Sequence, residues 1–145
     1  MKRFIGLLCG VLIVSSLTVF AATSTSFTVN GVSVVGQVSY YDSAGGNPFD
    51  SDSVTATTTS GAALDEIKAK AYLYNGSTLL SSNSELSYNS NYVSAYTSKY
   101  TSDGNNGKGY HYGLHNQKSN YDYTYVTWWQ KEKLCPDFYS GHNKF

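Results

Sequence analysis

Glu66-Ile67-Lys68-Ala69-Lys70-Ala71-Tyr72-Leu73-Tyr74, followed at once by Asn75-Gly76, is the stretch on which the fold turns. Successive side chains of an extended chain point to opposite faces. Ile67, Ala69, Ala71 and Leu73 therefore share one side, and Lys68, Lys70, Tyr72 and Tyr74 the other. Four inward positions in strict alternation make this a strand with an apolar inner face. They outweigh the helix that Leu64-Asp65-Glu66-Ile67 would otherwise favour. Asn-Gly is the preferred pair of a two-residue type I′ turn, so Asn75-Gly76 predicts a hairpin whose return strand opens at Thr78-Leu79-Leu80.

The same signal recurs upstream. Asn30-Gly31 separates Phe27-Thr28-Val29 from Val32-Ser33-Val34 and predicts a second hairpin, with Gly36 read as a bulge in the run from Val32 to Tyr41. Further strands are expected over 54–59, 92–101, 109–115 and 121–129. A turn is read at 103–107 and a polar loop at 116–120. The chain carries 14 Tyr and 13 Gly with only 2 Pro. Tyr, Thr and Val suit a half-buried pleated surface, while Gly and Asn suit turns. No sustained spacing of three and four apolar residues competes with this pattern. The fold class is therefore all-β, expected as a small antiparallel β-sandwich (Ig-like or related) of about seven to eight short strands.

Residues 1–22 read as a secretory signal peptide: Lys2 and Arg3, an apolar run from Phe4 to Phe20, and small residues at Ala21-Ala22. Residues 23–130 are then the β-sandwich domain and 131–145 a C-terminal tail. The expected localisation is secreted and extracellular, with no integral membrane segment after signal removal. Loss of Lys2 and Arg3 leaves eight Lys, no Arg and ten Asp and Glu, a formal charge of −2. A surface built for phosphates wants clustered Arg and Lys, so nucleic acid is not an expected partner. Cys9 lies near the start of the apolar run and does not fit a lipid attachment site. Cys135 is then the one thiol of the exported chain, which leaves it able to form a disulfide-linked dimer in an oxidising compartment.

The motifs that carry chemistry are weak. His111 and His115 share a strand face about 13 Å apart, too far to share a metal ion without a bulge, and are read as exposed or loop-packing. Cys135 and His142 lack the electropositive niche of a catalytic thiol. Asp42, Asn47, Asp50 and Asp52, threaded through Gly45-Gly46 and Pro48, form an oxygen-rich loop that is a candidate Ca²⁺ site; turn formation alone explains the same residues. The glycines at 104–109 lack the Gly-Lys-Ser/Thr ending of a phosphate loop. No catalytic residue is assigned, no cofactor is implied, and the chain is read as a non-enzyme.

Aromatic rows are the remaining signal. Tyr121, Tyr123, Tyr125 and Trp129 share one face and are read as core. Tyr92, Tyr96 and Tyr100 share a face whose reverse offers Val93 and Ala95 to the interior, and they are the candidate binding residues. The expected function is an extracellular binding module for a glycan or a cell-surface protein. A secreted antimicrobial or toxin-like protein is the alternative, and a small hydrolase the weaker third reading. The signal reading predicts that the exported protein begins at Ala22 or Thr23. N-terminal sequencing checks this, and an uncut precursor or a lipid-modified Cys9 in the exported fraction would contradict it.

Overall fold

The computed structural model describes residues 18–43, 51–101 and 105–127. They form six antiparallel strands: β1 (Thr18–Val29), β2 (Val32–Ser43), β3 (Ser51–Asn75), β4 (Thr78–Tyr100), β5 (Asn105–His115) and β6 (Lys118–Thr127). The sheet runs β1-β2-β3-β5-β6, with β4 paired to β3 off this path. The protein is all-β, as the alternation predicts, but the architecture is a nearly closed, barrel-like sheet and not clearly a sandwich. Separate short strands read at 54–59 and 66–74 are two halves of the single strand β3, and those read at 78–80 and 92–101 fall in β4, which ends at Tyr100.

The bend in β3 makes the near-closure. Residues 53–60 pair with β2, whereas Glu66–Asn75 pair with β5, so one edge of β3 serves two different neighbours in turn. Between the halves, register with β4 jumps from Thr59↔Tyr92 to Leu64↔Ser90, and Gly61-Ala62-Ala63 lies in this irregular corner. Side chains then tie β6 back to β1. Thr23 Oγ1 donates to the Tyr125 carbonyl at 2.8 Å, Asn120 Nδ2 donates to the Thr28 carbonyl at 3.0 Å, and the Thr25 hydroxyl donates to the Asp122 carboxylate. These bonds stand where a backbone ladder would stand in a fully closed barrel. β1 includes residues 18–22 of the proposed signal, and Ala21 is buried.

Turn chemistry sets the registers. Asn30 (φ 46°) and Gly31 (φ 84°) both occupy the left-handed region between Val29 and Val32, the type I′ geometry expected there. The β3–β4 turn sits one residue later than expected. Asn75 still pairs with Thr78, so Gly76-Ser77 are the central residues, with positive φ at Gly76 (56°) as in type II′ turns. The polar loop expected at 116–120 is instead a two-residue turn, Asn116-Gln117, with both residues at positive φ and β6 opening at Lys118. Asn105 to Gly107, read as part of a turn, already belong to β5.

The core has a floor of small residues. Ile67, Ala69, Ala71 and Leu73 point inward as predicted and are fully buried. Across the ladder they face Gly113, His111, Gly109 and Gly107 of β5. This row leaves space that the opposite wall fills: a Cβ at Gly107 would meet Val126 at 2.7 Å and Val54 at 3.1 Å, and one at Gly113 would meet Leu64 at 2.8 Å. Gly36 is not a bulge; its pairing with Thr25 and Thr58 is regular. It makes room for the His111 ring, which a Cβ there would approach to 2.2 Å. Gly36→Ala should cost at least about 2 kcal/mol, since added bulk in a filled core forces the neighbours apart. Gly61→Ala, whose Cβ would come no nearer than 3.9 Å to anything, should change stability by under about 0.5 kcal/mol. Denaturant unfolding compares the two, and equal small losses would mean that the imidazole does not fill this space.

Candidate functional site

Three places could carry function: the buried polar centre, the acidic end of the barrel, and the tyrosine-bearing outer faces.

His111 forms the polar centre and is fully buried, not exposed or loop-packing as its spacing suggested. The Thr58 hydroxyl donates its single hydrogen to the Lys68 carbonyl at 3.0 Å, so at 2.9 Å it accepts from His111 Nδ1–H. Nε2 is then the lone-pair nitrogen and accepts from the Thr124 hydroxyl at 2.8 Å. Burial pushes the His111 pKa down to about 4, against a weaker opposing pull from Asp122. A neutral ring with both nitrogens engaged and no exposed surface is a clasp between β2, β3, β5 and β6. His115 lies apart, its Nδ1 3.5 Å from Asp65 Oδ1.

The Ca²⁺ candidates divide. Asn47 and Asp50 lie outside the described residues, as do Cys135, His142 and Trp129. Asp42 and Asp52 do not sit on an exposed loop. They lie within β2 and β3, both buried on the inner face beside Tyr40. Asp52 Oδ2 accepts from the Tyr40 hydroxyl at 2.7 Å and from the Asn105 side-chain amide. Burial, and then the bond to Asp52, hold the Tyr40 phenol well above its ordinary range. Among the described residues no cluster of three His, Cys, Asp or Glu side chains could hold a metal ion.

The outer faces are where large side chains meet solvent. On β4, Tyr92, Tyr96 and Tyr100 are 55%, 56% and 69% exposed, while Val93, Ala95 and Thr97 behind them are buried. The ladder sets Tyr92 beside Thr59 and Val35, Ser94 beside Thr57 and Gln37, and Tyr96 beside Thr55 and Ser39. Thr57 and Ser94 hydroxyls meet at 3.3 Å. None of these rows carries a charged side chain. The three predicted tyrosines therefore line an uncharged, hydroxyl-rich shelf.

The second face covers the distal half of β3 with β5 and β6, and it overturns the core reading of Tyr121, Tyr123 and Tyr125. These rings point outward, Tyr121 and Tyr125 being 57% exposed, because their neighbours Thr124 and Val126 take the interior. Across β3, β5 and β6 the register makes three successive rows: Lys68–Tyr112–Tyr121, Lys70–Tyr110–Tyr123 and Tyr72–Lys108–Tyr125. Each row holds one lysine and two tyrosines. Tyr110 packs 5.3 Å from Tyr123 and 5.7 Å from Tyr121, centroid to centroid, within the range of paired rings. Lys108 Nζ lies 4.1 Å above the Tyr123 ring and 5.3 Å above that of Tyr125; Lys70 Nζ lies 5.7 Å above Tyr110. The signal for this face is in the sequence: alternate Gly107, Gly109, His111 and Gly113 mark the inner side of β5, which forces Lys108, Tyr110 and Tyr112 outward.

His111 gives a pH dependence with a definite sign. Its folded pKa lies below the unfolded value of 6.5, so its contribution is fully present above about pH 6.5 and is lost as pH falls toward 4. Stability should drop by about 2.5 kcal/mol between pH 7 and pH 4.5. Urea titrations at several pH values measure it, and a flat profile over that window would contradict a buried neutral ring. No protein-family model matches the chain, and neither a curated protein nor a solved structure is similar to it.

Proposed function

We propose that the protein is an extracellular, non-catalytic binding module that holds an extended glycan on the outer shelf of β4. The exposure of Tyr92, Tyr96 and Tyr100 on one uncharged face carries this reading. Residues at i, i+4 and i+8 of a strand span about 27 Å, room for several sugar units lying along the strand. A pyranose presents an apolar C–H face that stacks on an aromatic ring, and the phenol hydroxyl adds a hydrogen bond at the rim. Ser94, Ser98 and Thr57 supply further hydroxyls between and beside the rings, at spacings that suit a ligand rich in hydroxyls itself. A protein partner would favour a more apolar centre with large anchors in pockets.

Because the rings lie on the solvent side of β4, they are separable from stability. Replacing Tyr92, Tyr96 and Tyr100 with Ser should weaken retention on a neutral polysaccharide at least about tenfold and lower the melting temperature by no more than a few degrees. Affinity electrophoresis in neutral glucan, xylan and mannan gels reads the first quantity and calorimetry the second. Unchanged retention, or no retention of the parent protein in any of these gels, would contradict the reading.

A further inference from the structure

We propose that the outer face of β3, β5 and β6 is a second binding site, for an acidic polysaccharide whose carboxylates meet Lys68, Lys70 and Lys108. It does not rest on the role given to the β4 shelf. Three of the five lysines among the described residues, Lys68, Lys70 and Lys108, lie on this one face, in a chain whose exported form is net negative. The acids nearest to it sit at its margin. Glu66 shares the face, opposing Leu114 one row beyond Lys68, and Asp65 accepts from the Asn116 backbone N–H at 2.7 Å and lies 3.5 Å from His115 Nδ1. Asp122 points to the other side of β6 and accepts from Thr25. The face therefore carries three lysines against one acid, Glu66, at its edge.

The lysines are also placed. On the β3–β5 ladder Lys70 opposes Tyr110 and Lys108 opposes Tyr72, so the two lysines are diagonal neighbours, with backbone positions about 7–8 Å apart. Lys108 rests against Tyr123 and Tyr125, and Lys70 against Tyr110, which limits the rotamer freedom that a free surface lysine would lose on binding. The ammonium hydrogens not aimed at a ring remain available to a carboxylate, and such charge-assisted bonds are the strong ones. Around these points Tyr121 and Tyr125 stay more than half exposed, open for stacking. A ligand that matches must bring carboxylates and apolar ring faces together at short repeat. A polymer of uronic acids does so. An acidic peptide brings the charge alone, and a neutral glycan the rings alone.

The test uses the exported protein at low ionic strength with three polymers: polygalacturonate, its methyl ester and polyglutamate. Calorimetric titration should show binding to polygalacturonate that weakens steeply with salt. The ester and polyglutamate should each bind at least about tenfold more weakly. The double variant Lys70→Met, Lys108→Met should lose at least about tenfold for polygalacturonate, whereas Lys99→Met, Lys118→Met, with the same change of charge, should lose less than about threefold. Melting curves identify any variant that fails to fold, and Lys70→Gln, Lys108→Gln then replaces it. Failure to bind polygalacturonate overturns the proposal. So does polyglutamate binding as tightly, which would reduce the face to a charge patch, or the ester binding as tightly, which would leave the lysines without a role. Equal losses in the two double variants would overturn it as well.

Discussion

The imidazole of His111 is wedged between Gly36 on β2 and Gly109 on its own strand, and its two nitrogens are bonded to Thr58 on β3 and Thr124 on β6. Four strands converge on one ring. Small residues dominate the inner faces, and Ile67, Leu64 and Leu73 are the bulkiest aliphatics buried among the described residues, few for the filling of a barrel. The ring replaces part of that volume, and because it is polar it fixes where the walls stand. A buried donor or acceptor left without a partner costs about 1–3 kcal/mol, so the strands are held at the separation that keeps both nitrogens and both hydroxyls satisfied. The Thr58 hydroxyl extends the constraint to the Lys68 carbonyl, in the other half of the same strand. The bend of β3 is thus tied to the centre of the core.

That bend gives the molecule two outer faces of different chemistry. Before the corner, β3 shares a face with β2 and β4 that is uncharged and rich in hydroxyls. After it, β3 shares a face with β5 and β6 in which each of three rows sets one lysine among two tyrosines. Both faces follow from the same rule. Wherever the interior takes Gly, Ala, Val or Thr at alternate positions, the intervening tyrosines have nowhere to go but out. The abundance of tyrosine is therefore a surface property over these strands, with Tyr40 the exception, buried beside Asp52.

Much of the local structure was legible in the sequence, because alternation and Asn-Gly turns act over a few residues. The inward row from Ile67 to Leu73 and the Asn30-Gly31 hairpin stand where the pattern put them. What escaped was anything that depends on which walls face each other. The pattern suggests separate strands over 54–59 and 66–74, and again at 78–80 and over 92–101. The chain instead passes through an irregular corner with Asn89 at positive φ (48°), and each strand continues. Barrel or sandwich is decided by that corner and by side-chain bonds between β1 and β6, nearly a hundred residues apart. Tyr121, Tyr123 and Tyr125 looked like core because rings are large and other bulky apolar residues are scarce. Placing them needed the knowledge that Thr124, Val126 and the glycine face of β5 already fill the interior.

The most direct test of this account is the state of the His111 ring, read by long-range proton–nitrogen correlation NMR as a function of pH. The account predicts a neutral ring with the proton on Nδ1 and a bare Nε2, persisting unchanged from pH 7 down to about pH 5. A ring protonated on Nε2 alone at neutral pH would contradict the account by reversing the polarity of both bonds, and one that gains its second proton with a midpoint near the ordinary 6.5 would contradict the burial of the imidazole.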